Sequence, residues 1–245
     1  MRLEGKVAIV TGVGAGIGLA IAQRFVREGA KVIAGDLTET AVAAAAAVPG
    51  VVSVKADVSR QADIDALVAE ALKFGKLDIL VNNAGIVDRF LPVGEMTDEV
   101  WDHVLAVNLT GPMKLSRAAI PHMLKAGKGV IVNVASVAGV VGGLGGAAYT
   151  SSKHALIGLT ENIAASYGAD GIRCVGVAPG AIATGISLGG DPSERGMAML
   201  TKRMMGGPPS GVADDMANVV LFLASDEASF VNGSTLVADG GWTAA

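Results

Sequence analysis

Short β-branched runs alternate with amphipathic stretches along most of the chain. Lys6–Thr11 (KVAIVT) shows no polar alternation, as expected of a strand buried on both faces of a parallel sheet. A Gly-rich turn, Gly12–Gly18, follows, then an amphipathic helix through LAIAQRFVREG that Gly29 stops. KVIAGD, ending in Asp36, predicts the second strand, and the alanine-rich Glu39–Val48 the second helix. VVSVKADV predicts a third strand ending at Asp57 and Val58. Gln61–Phe74 then predicts a helix with Ile64, Leu67, Val68, Ala71 and Leu72 on one face. The order so far is βαβαβα, half of a doubly wound α/β sheet.

LDILVNNAG (77–85) predicts a fourth strand breaking into a turn. Thr97–Ala126 carries one long helical pattern. Within it the Pro112 ring would clash with the Asn108 carbonyl, so a kink is expected there. GVIVNVAS predicts a fifth strand ending at Ser136, and a helix follows from about Gly146. IRCVGVAPGAIAT predicts a sixth strand and a Pro-Gly turn. Residues 185–211 change character, with Met197, Met199, Met204 and Met205 set among charges, glycines and prolines. Such a segment suits a lid over an apolar ligand, or simple packing filler. Val212–Ala224 predicts the last helix and STLVADGG a closing strand. There is neither repeat nor linker, so residues 1–245 are expected to form a single domain.

Composition narrows the class. Charged residues are only 17% and the mean hydropathy is +0.52, apolar for a soluble monomer. Yet no apolar run approaches the ~18 residues of a membrane span, so a symmetric oligomer is the better account of that surface. Ala155, Leu156, Leu159 and Ile163 are more apolar positions than one core-facing stripe needs, and helix faces from 152–168 and 212–224 are the expected interfaces. A net charge of −4 leaves no electrostatic footprint for nucleic acid. Arg2, Glu4 and Lys6 make the start unlike a secretory signal. Cys174 is the only cysteine, and His103, His122 and His154 are scattered, so neither a disulfide nor a metal site is expected. A cytoplasmic, metal-free protein fits these features.

The chemistry is carried by a few residues. Gly12, Gly16 and Gly18 permit a tight turn that lets a pyrophosphate approach the backbone at a helix N-terminus. Ala15 and Ile17 lie between them. Asp36, eighteen residues after Gly18, stands where a carboxylate can accept from the adenosine ribose of NAD; a turn or capping aspartate is the plainer reading. Asp57 and Val58 are candidate contacts at the adenine edge. Two consecutive asparagines, 82 and 83, are costly after an apolar strand unless their amides satisfy backbone or ligand. Tyr149 and Lys153 stand one helical turn apart, and Ser136 lies thirteen residues before the tyrosine. An ammonium beside a phenol favours the phenolate, which would make Tyr149 a general base; alone, the pair reads equally well as a surface contact.

TGVGAGIG, Asp57-Val58, NNAG, Asn108, Ser136, Tyr149-x-x-x-Lys153, PGAIAT and the closing DGG occur together, and with them the chain resembles the short-chain dehydrogenase/reductase family over essentially its whole length. The resemblance implies a Rossmann fold, a seven-stranded parallel sheet with helices on both faces, and a homotetramer. It implies that Tyr149 is the general acid/base, that Ser136 orients the reacting oxygen, that Lys153 holds the nicotinamide ribose and lowers the tyrosine pKa, and that Asn108 holds a water extending the proton path. Asn83, Ala84 and Gly85 would flank the cofactor, and Pro179, Gly180, Ile182 and Thr184 would frame the nicotinamide. Val175 departs from the pattern, since many members carry asparagine there. Leu37 follows Asp36 where an NADP-binding chain would want an arginine, so the expected cofactor is NAD. The expected activity is interconversion of a secondary alcohol and a ketone. A catalytically silent NAD-binding sensor or scaffold is the alternative; a longer epimerase-type enzyme would need more chain than the roughly 60 residues after Thr184.

Overall fold

Seven parallel strands form one sheet in the computed structural model, which describes residues 1–244. They are β1 Val7–Thr11, β2 Lys31–Asp36, β3 Val51–Lys55, β4 Ile79–Asn82, β5 Gly129–Val134, β6 Ile172–Pro179 and β7 Thr235–Ala238. In space the order is β3-β2-β1-β4-β5-β6-β7, so the chain enters at the middle and builds outward in both directions. The reversal falls between β1 and β4. In a sheet of this kind a ligand crevice opens there, beyond the carboxyl ends of the strands.

Eight helices accompany the sheet: α1 Gly16–Arg27, α2 Glu39–Ala46, α3 Gln61–Leu72, α4 Asp98–Leu105, α5 Gly111–Ala126, α6 Ala147–Tyr167, α7 Glu194–Met204 and α8 Ala213–Ala224. Strand side chains alternate between two cores. Ala8 and Val10 pack with Phe25 of α1 and Val220 of α8, while Val7 and Ile9 pack with Leu67 of α3 and Leu115 of α5. Every residue of β1 is buried, which is why its sequence shows no polar alternation. The doubly wound architecture expected from the pattern is therefore the one observed.

Two local expectations are corrected. The long 97–126 pattern is two helices joined by a π-helical turn, Ala106–Thr110, rather than one kinked helix. Pro112 has no N–H to give the Asn108 carbonyl. The chain absorbs that loss by widening the turn, so that the Gly111 N–H reaches back to Ala106 O. β3 ends at Lys55, which leaves Asp57 and Val58 in the following loop. There the Asp57 carboxylate turns the chain, accepting from Ser59 N at 2.9 Å and Ser59 Oγ at 2.6 Å. On α6, Leu156 and Ile163 are buried in the protein's own core, while Ala155 is exposed and Leu159 half-buried.

A polar network runs through the centre of this core. Asn82 Nδ2 donates to Asn133 Oδ1 at 2.8 Å, Asn133 Nδ2 donates to Thr160 Oγ1 at 2.9 Å, and Thr160 donates to Leu156 O at 2.8 Å. Beside it, burial pushes the Cys174 thiol up to about 12, so it serves as packing rather than as a nucleophile. The network joins β4 and β5 to α6. Asn133→Ala strips two buried partners and leaves a void, so it is expected to destabilise by roughly 2–4 kcal/mol, read from the urea midpoint.

Candidate active site

A cleft of about 450 Å³ opens at the carboxyl ends of β1, β4, β5 and β6. That volume is in the range of a small-molecule or cofactor site. Its floor on the β1 side is the Gly-rich turn. Gly12 and Gly16 have φ of +71° and +56°, a region that suits glycine, and a Cβ on Gly18 would stand 1.9 Å from Gly12 O. The turn therefore needs glycine at these positions. Ala15 caps α1 with no side-chain acceptor, and the first turn of the helix holds no acid. Gly16, Ile17 and Gly18 thus bring an uncapped helix N-terminus to the cleft, a seat for an anionic group such as a pyrophosphate. A dinucleotide fits this cradle.

The hinge after β4 locks the turn in place. Asn83 Nδ2 donates to Thr11 O at 2.8 Å and to Gly12 O at 3.0 Å, and a Cβ on Gly12 would meet the Ala84 Cα at 2.8 Å. Asn82 and Asn83 thus satisfy protein groups, and Asn83, Ala84 and Gly85 line the cleft. At one end Asp36 accepts from Gly14 N and Leu37 N, both at 2.8 Å, leaving further lone pairs toward the cleft. Leu37 is exposed outside the lining, and Asp57 and Val58 lie outside it on the loop after the neighbouring strand. At the other end Pro179, Gly180, Ile182 and Thr184 line the wall, with Thr184 against Gly16.

Three groups named from the sequence meet at the centre. Ser136 stands two residues after the end of β5, and Tyr149 and Lys153 come from the first two turns of α6; all line the cleft. Lys153 Nζ donates to Val134 O at 2.9 Å and sits 5.6 Å from the Tyr149 ring centroid. Asn108, the fourth, is fully buried behind this wall. Its amide brackets Ile86, accepting from the backbone N and donating to the backbone O, each at 2.9 Å, and donates to Ser152 Oγ at 3.2 Å. Gly85 lies beside both groups: a Cβ there would be in ordinary contact with Asn108 Oδ1 and Lys153 Nζ, at 3.4 Å from each.

Electrostatics correct one expectation. Burial raises the Tyr149 pKa above its ordinary value, a hydrogen bond with Ser136 opposes the rise, and Asp88 adds to it. Burial also pushes Lys153 down to about 8. With the protein's own groups alone, desolvation outweighs the attraction between ammonium and phenolate. The sequence shows the pair but not the depth at which it sits.

Other lining residues, Met204 apart, were not singled out from the sequence. Asp88 is buried at the start of α6, and Leu144, Leu200, Met204 and Trp242 close the outer side. Leu200 and Met204 belong to α7, inside the segment read as a lid. Trp242 lies beyond β7 and donates from Nε1 to Arg203 O at 2.9 Å, fastening the end of α7. One of only two tryptophans, close behind a final strand, was the available signal.

The chain matches known proteins over essentially its full length. A family model described as enoyl-(acyl carrier protein) reductase matches residues 12–243. The chain is 45% identical over 250 residues to 3beta-hydroxysteroid dehydrogenase 2 of Eggerthella lenta, covering 99% of this chain and 96% of that protein. It is 42% identical over 257 residues to 2-(R)-hydroxypropyl-CoM dehydrogenase of Xanthobacter autotrophicus, covering 98% and 99%. The crystal structure of levodione reductase superposes with a TM-score of 0.91 at 36% identity, covering all of both chains.

The depressed Lys153 pKa has a consequence for stability. Between pH 8 and 10.5 the unfolded chain holds a proton that the folded chain has released, so folding gains as pH rises through that window. Below it, burying the ammonium costs on the order of 3 kcal/mol. Lys153→Met should therefore raise the unfolding free energy at pH 7 by up to about that amount. The gain over the unmodified protein should shrink toward pH 10.5, read from denaturation midpoints across the series.

Proposed function

This chain belongs to the short-chain dehydrogenase/reductase family of nicotinamide-dependent oxidoreductases, and we propose that it is an NAD(H)-dependent enzyme interconverting a secondary alcohol and a ketone. The observation that carries the reading is the meeting of Ser136, Tyr149 and Lys153 in the cleft that also holds the uncapped N-terminus of α1. When bound, the oxidised nicotinamide supplies a hydride acceptor and a positive charge at this centre. Ser136 holds the substrate oxygen and Tyr149 takes the hydroxyl proton; in reduction the tyrosine returns it. Lys153, anchored on Val134 O, has two N–H groups left to hold the nicotinamide ribose. Its charge lowers the cost of the phenolate. Asn108 fixes the Ile86 backbone beside them and serves the water-mediated part of the proton path.

Cofactor choice follows from the Asp36 end. Its carboxylate accepts from the adenosine ribose hydroxyls, with Leu37, Asp57 and Val58 around the adenine. A 2′-phosphate would face that carboxylate with little to neutralise it. A Cβ on Gly14 would fall 2.4 Å from that of Ala41, so the turn has no room for a cationic side chain. Lys55, opposite Asp36 in the β2–β3 register, is paired with Glu39 at 2.8 Å. Repulsion of this kind is worth up to about 4 kcal/mol per unit charge at ~4 Å before screening.

The substrate half is apolar. Phe90, Leu144, Ile186, Leu200, Met204 and Trp242 surround it, and Lys153 is the one cation in the lining among the described residues. Such a pocket suits a bulky uncharged alcohol better than an anionic carrier-linked one. Residues 185–211 act as its lid, with α7 bringing Leu200 and Met204 over the opening. Exposed Phe222, Phe230, Leu236 and Val237 around α8 and β7 offer apolar surface for assembly into a homotetramer.

Tyr149→Phe is expected to lower kcat by ~10²–10⁴ while NADH affinity, followed by fluorescence, stays within a few-fold. Retained turnover would instead favour a proton path through another group, and NADH binding without turnover of any alcohol in the unmodified protein would favour a sensor. In steady-state assays kcat/KM should favour NAD over NADP by at least ~10²-fold, and Asp36→Ala should cut that ratio mainly by weakening NAD.

A further inference from the structure

Asp88 is among the most buried charged groups of the chain, and the tyrosine mechanism does not use it. It follows the hinge after β4, is 1% exposed, and reaches across to the start of the catalytic helix. Gly146, the N-cap of α6, has no side chain to cap it. The Asp88 carboxylate takes that place, accepting from Gly146 N at 3.1 Å on one oxygen and from Tyr149 N at 2.9 Å on the other. The fit depends on glycine, because a Cβ on Gly146 would stand 2.4 Å from the carboxylate. A capping group supplied from another element restrains the helix more than a local one, because its own position is set by the sheet. Here one of the two amides it holds belongs to Tyr149 itself.

The segment that presents Asp88 is strained. Arg89 and Phe90 both have φ of 56°, the left-handed region that non-glycine residues rarely adopt, and they do so consecutively. Two further contacts hold the turn. Leu91 O accepts from Ala147 N at 2.8 Å, a third tie to the start of α6. Arg89 O accepts from Ser193 N at 2.9 Å, at the entrance to α7. Gly196 lies so close that a Cβ there would meet Phe90 O at 1.9 Å. One short turn thus touches the first turn of the catalytic helix on one side and the first turn of the lid helix on the other.

We propose that Asp88 is a positioning residue for Tyr149, clamping the start of α6 and setting the field at the phenol, and that the strained turn carrying it ties this position to the seating of α7. The proposal rests on Tyr149 being the acid/base. Charged and hydrogen-bonding groups face the phenol from each element around it. They are Lys153 from α6, Ser136 from the end of β5 and Asp88 from the turn; α7 contributes Leu200 and Met204, with the Arg203 guanidinium directed at Gly143. Of these only Asp88 disfavours the phenolate by charge. Removing that charge must move the tyrosine's titration to lower pH, and removing an acceptor must loosen the helix start.

The test is Asp88→Asn, which keeps the shape and one acceptor but loses the charge and the second acceptor. The Tyr149 titration is followed by phenolate absorbance in the protein without cofactor, with Tyr149→Phe as the blank. It should shift to lower pH in the variant, and the acid limb of kcat/KM for alcohol oxidation should shift the same way. Above that limb kcat should fall on the order of 10-fold, as expected of a misplaced reacting group. Amide exchange at Gly146 and Tyr149 should quicken, and exchange in the 193–197 segment with it. An unmoved tyrosine titration with unchanged exchange would overturn the positioning role. A shift confined to Gly146 and Tyr149, with 193–197 unchanged, would overturn the link to the lid. A moved phenolate titration with no oxidation limb in either protein would instead overturn Tyr149 as the acid/base. Asp88→Glu restores the charge with a longer reach, and should return the titration toward its starting point without restoring kcat.

Discussion

Burying a lysine is costly, and much of the cleft is arranged around that cost. Lys153 is almost fully enclosed, and Val134 O at the end of β5 is its hydrogen-bond acceptor among the described residues. An ammonium has three donors, so a group held this way retains capacity for something in the cleft. The surroundings keep it there. A Cβ on Gly139 would fall 2.7 Å from Lys153 O, so the turn after Ser136 lies directly on the helix that carries the lysine. The Asn82–Asn133–Thr160 network fixes the same helix to β4 and β5 two turns further along. The protein accepts an unfavourable charge because the framework around it leaves the side chain nowhere else to go.

The same constraint separates structural polar residues from those that face the cleft. Asn82, Asn83 and Asn108 look like binding residues in the sequence, yet each spends its amide on protein groups. Asn83 is the hinge that lets the Gly-rich turn come so close, and Asn108 holds the Ile86 backbone against the wall. What they supply is placement.

Most of the framework was legible because it rests on short-range patterns. Unbroken apolar runs gave the strands, three-to-four-residue periodicity gave α1 and α3, and strand–glycine–helix order located the crevice. What stayed hidden depended on depth or on contacts between distant segments. The π-helical turn at Ala106–Thr110 answers a lost proline N–H in a way that sequence cannot distinguish from a kink. The Tyr149 shift was misjudged because spacing along a helix reveals a neighbouring charge but not the absence of water. Asp88 is one acid in an irregular loop, and its importance comes from a helix that begins 58 residues later.

Those hidden features bear on how the site works as a unit. On the protein's own charges, burial favours a protonated phenol and weakens the hold of Lys153 on its proton, while Asp88 pushes Tyr149 the same way. A tyrosine so placed is a poor base until further positive charge enters the cleft. Coulombic attraction grows as water is excluded, so the groups that make the phenolate costly without a ligand also make it most responsive to one. If α7 closes as proposed, bringing Leu200 and Met204 over the cleft, that response would sharpen, and the contact between Arg89 and Ser193 places α7 on the turn that carries Asp88. On the proposed mechanism, proton transfer and enclosure of the substrate therefore depend on the same few residues at the start of α6.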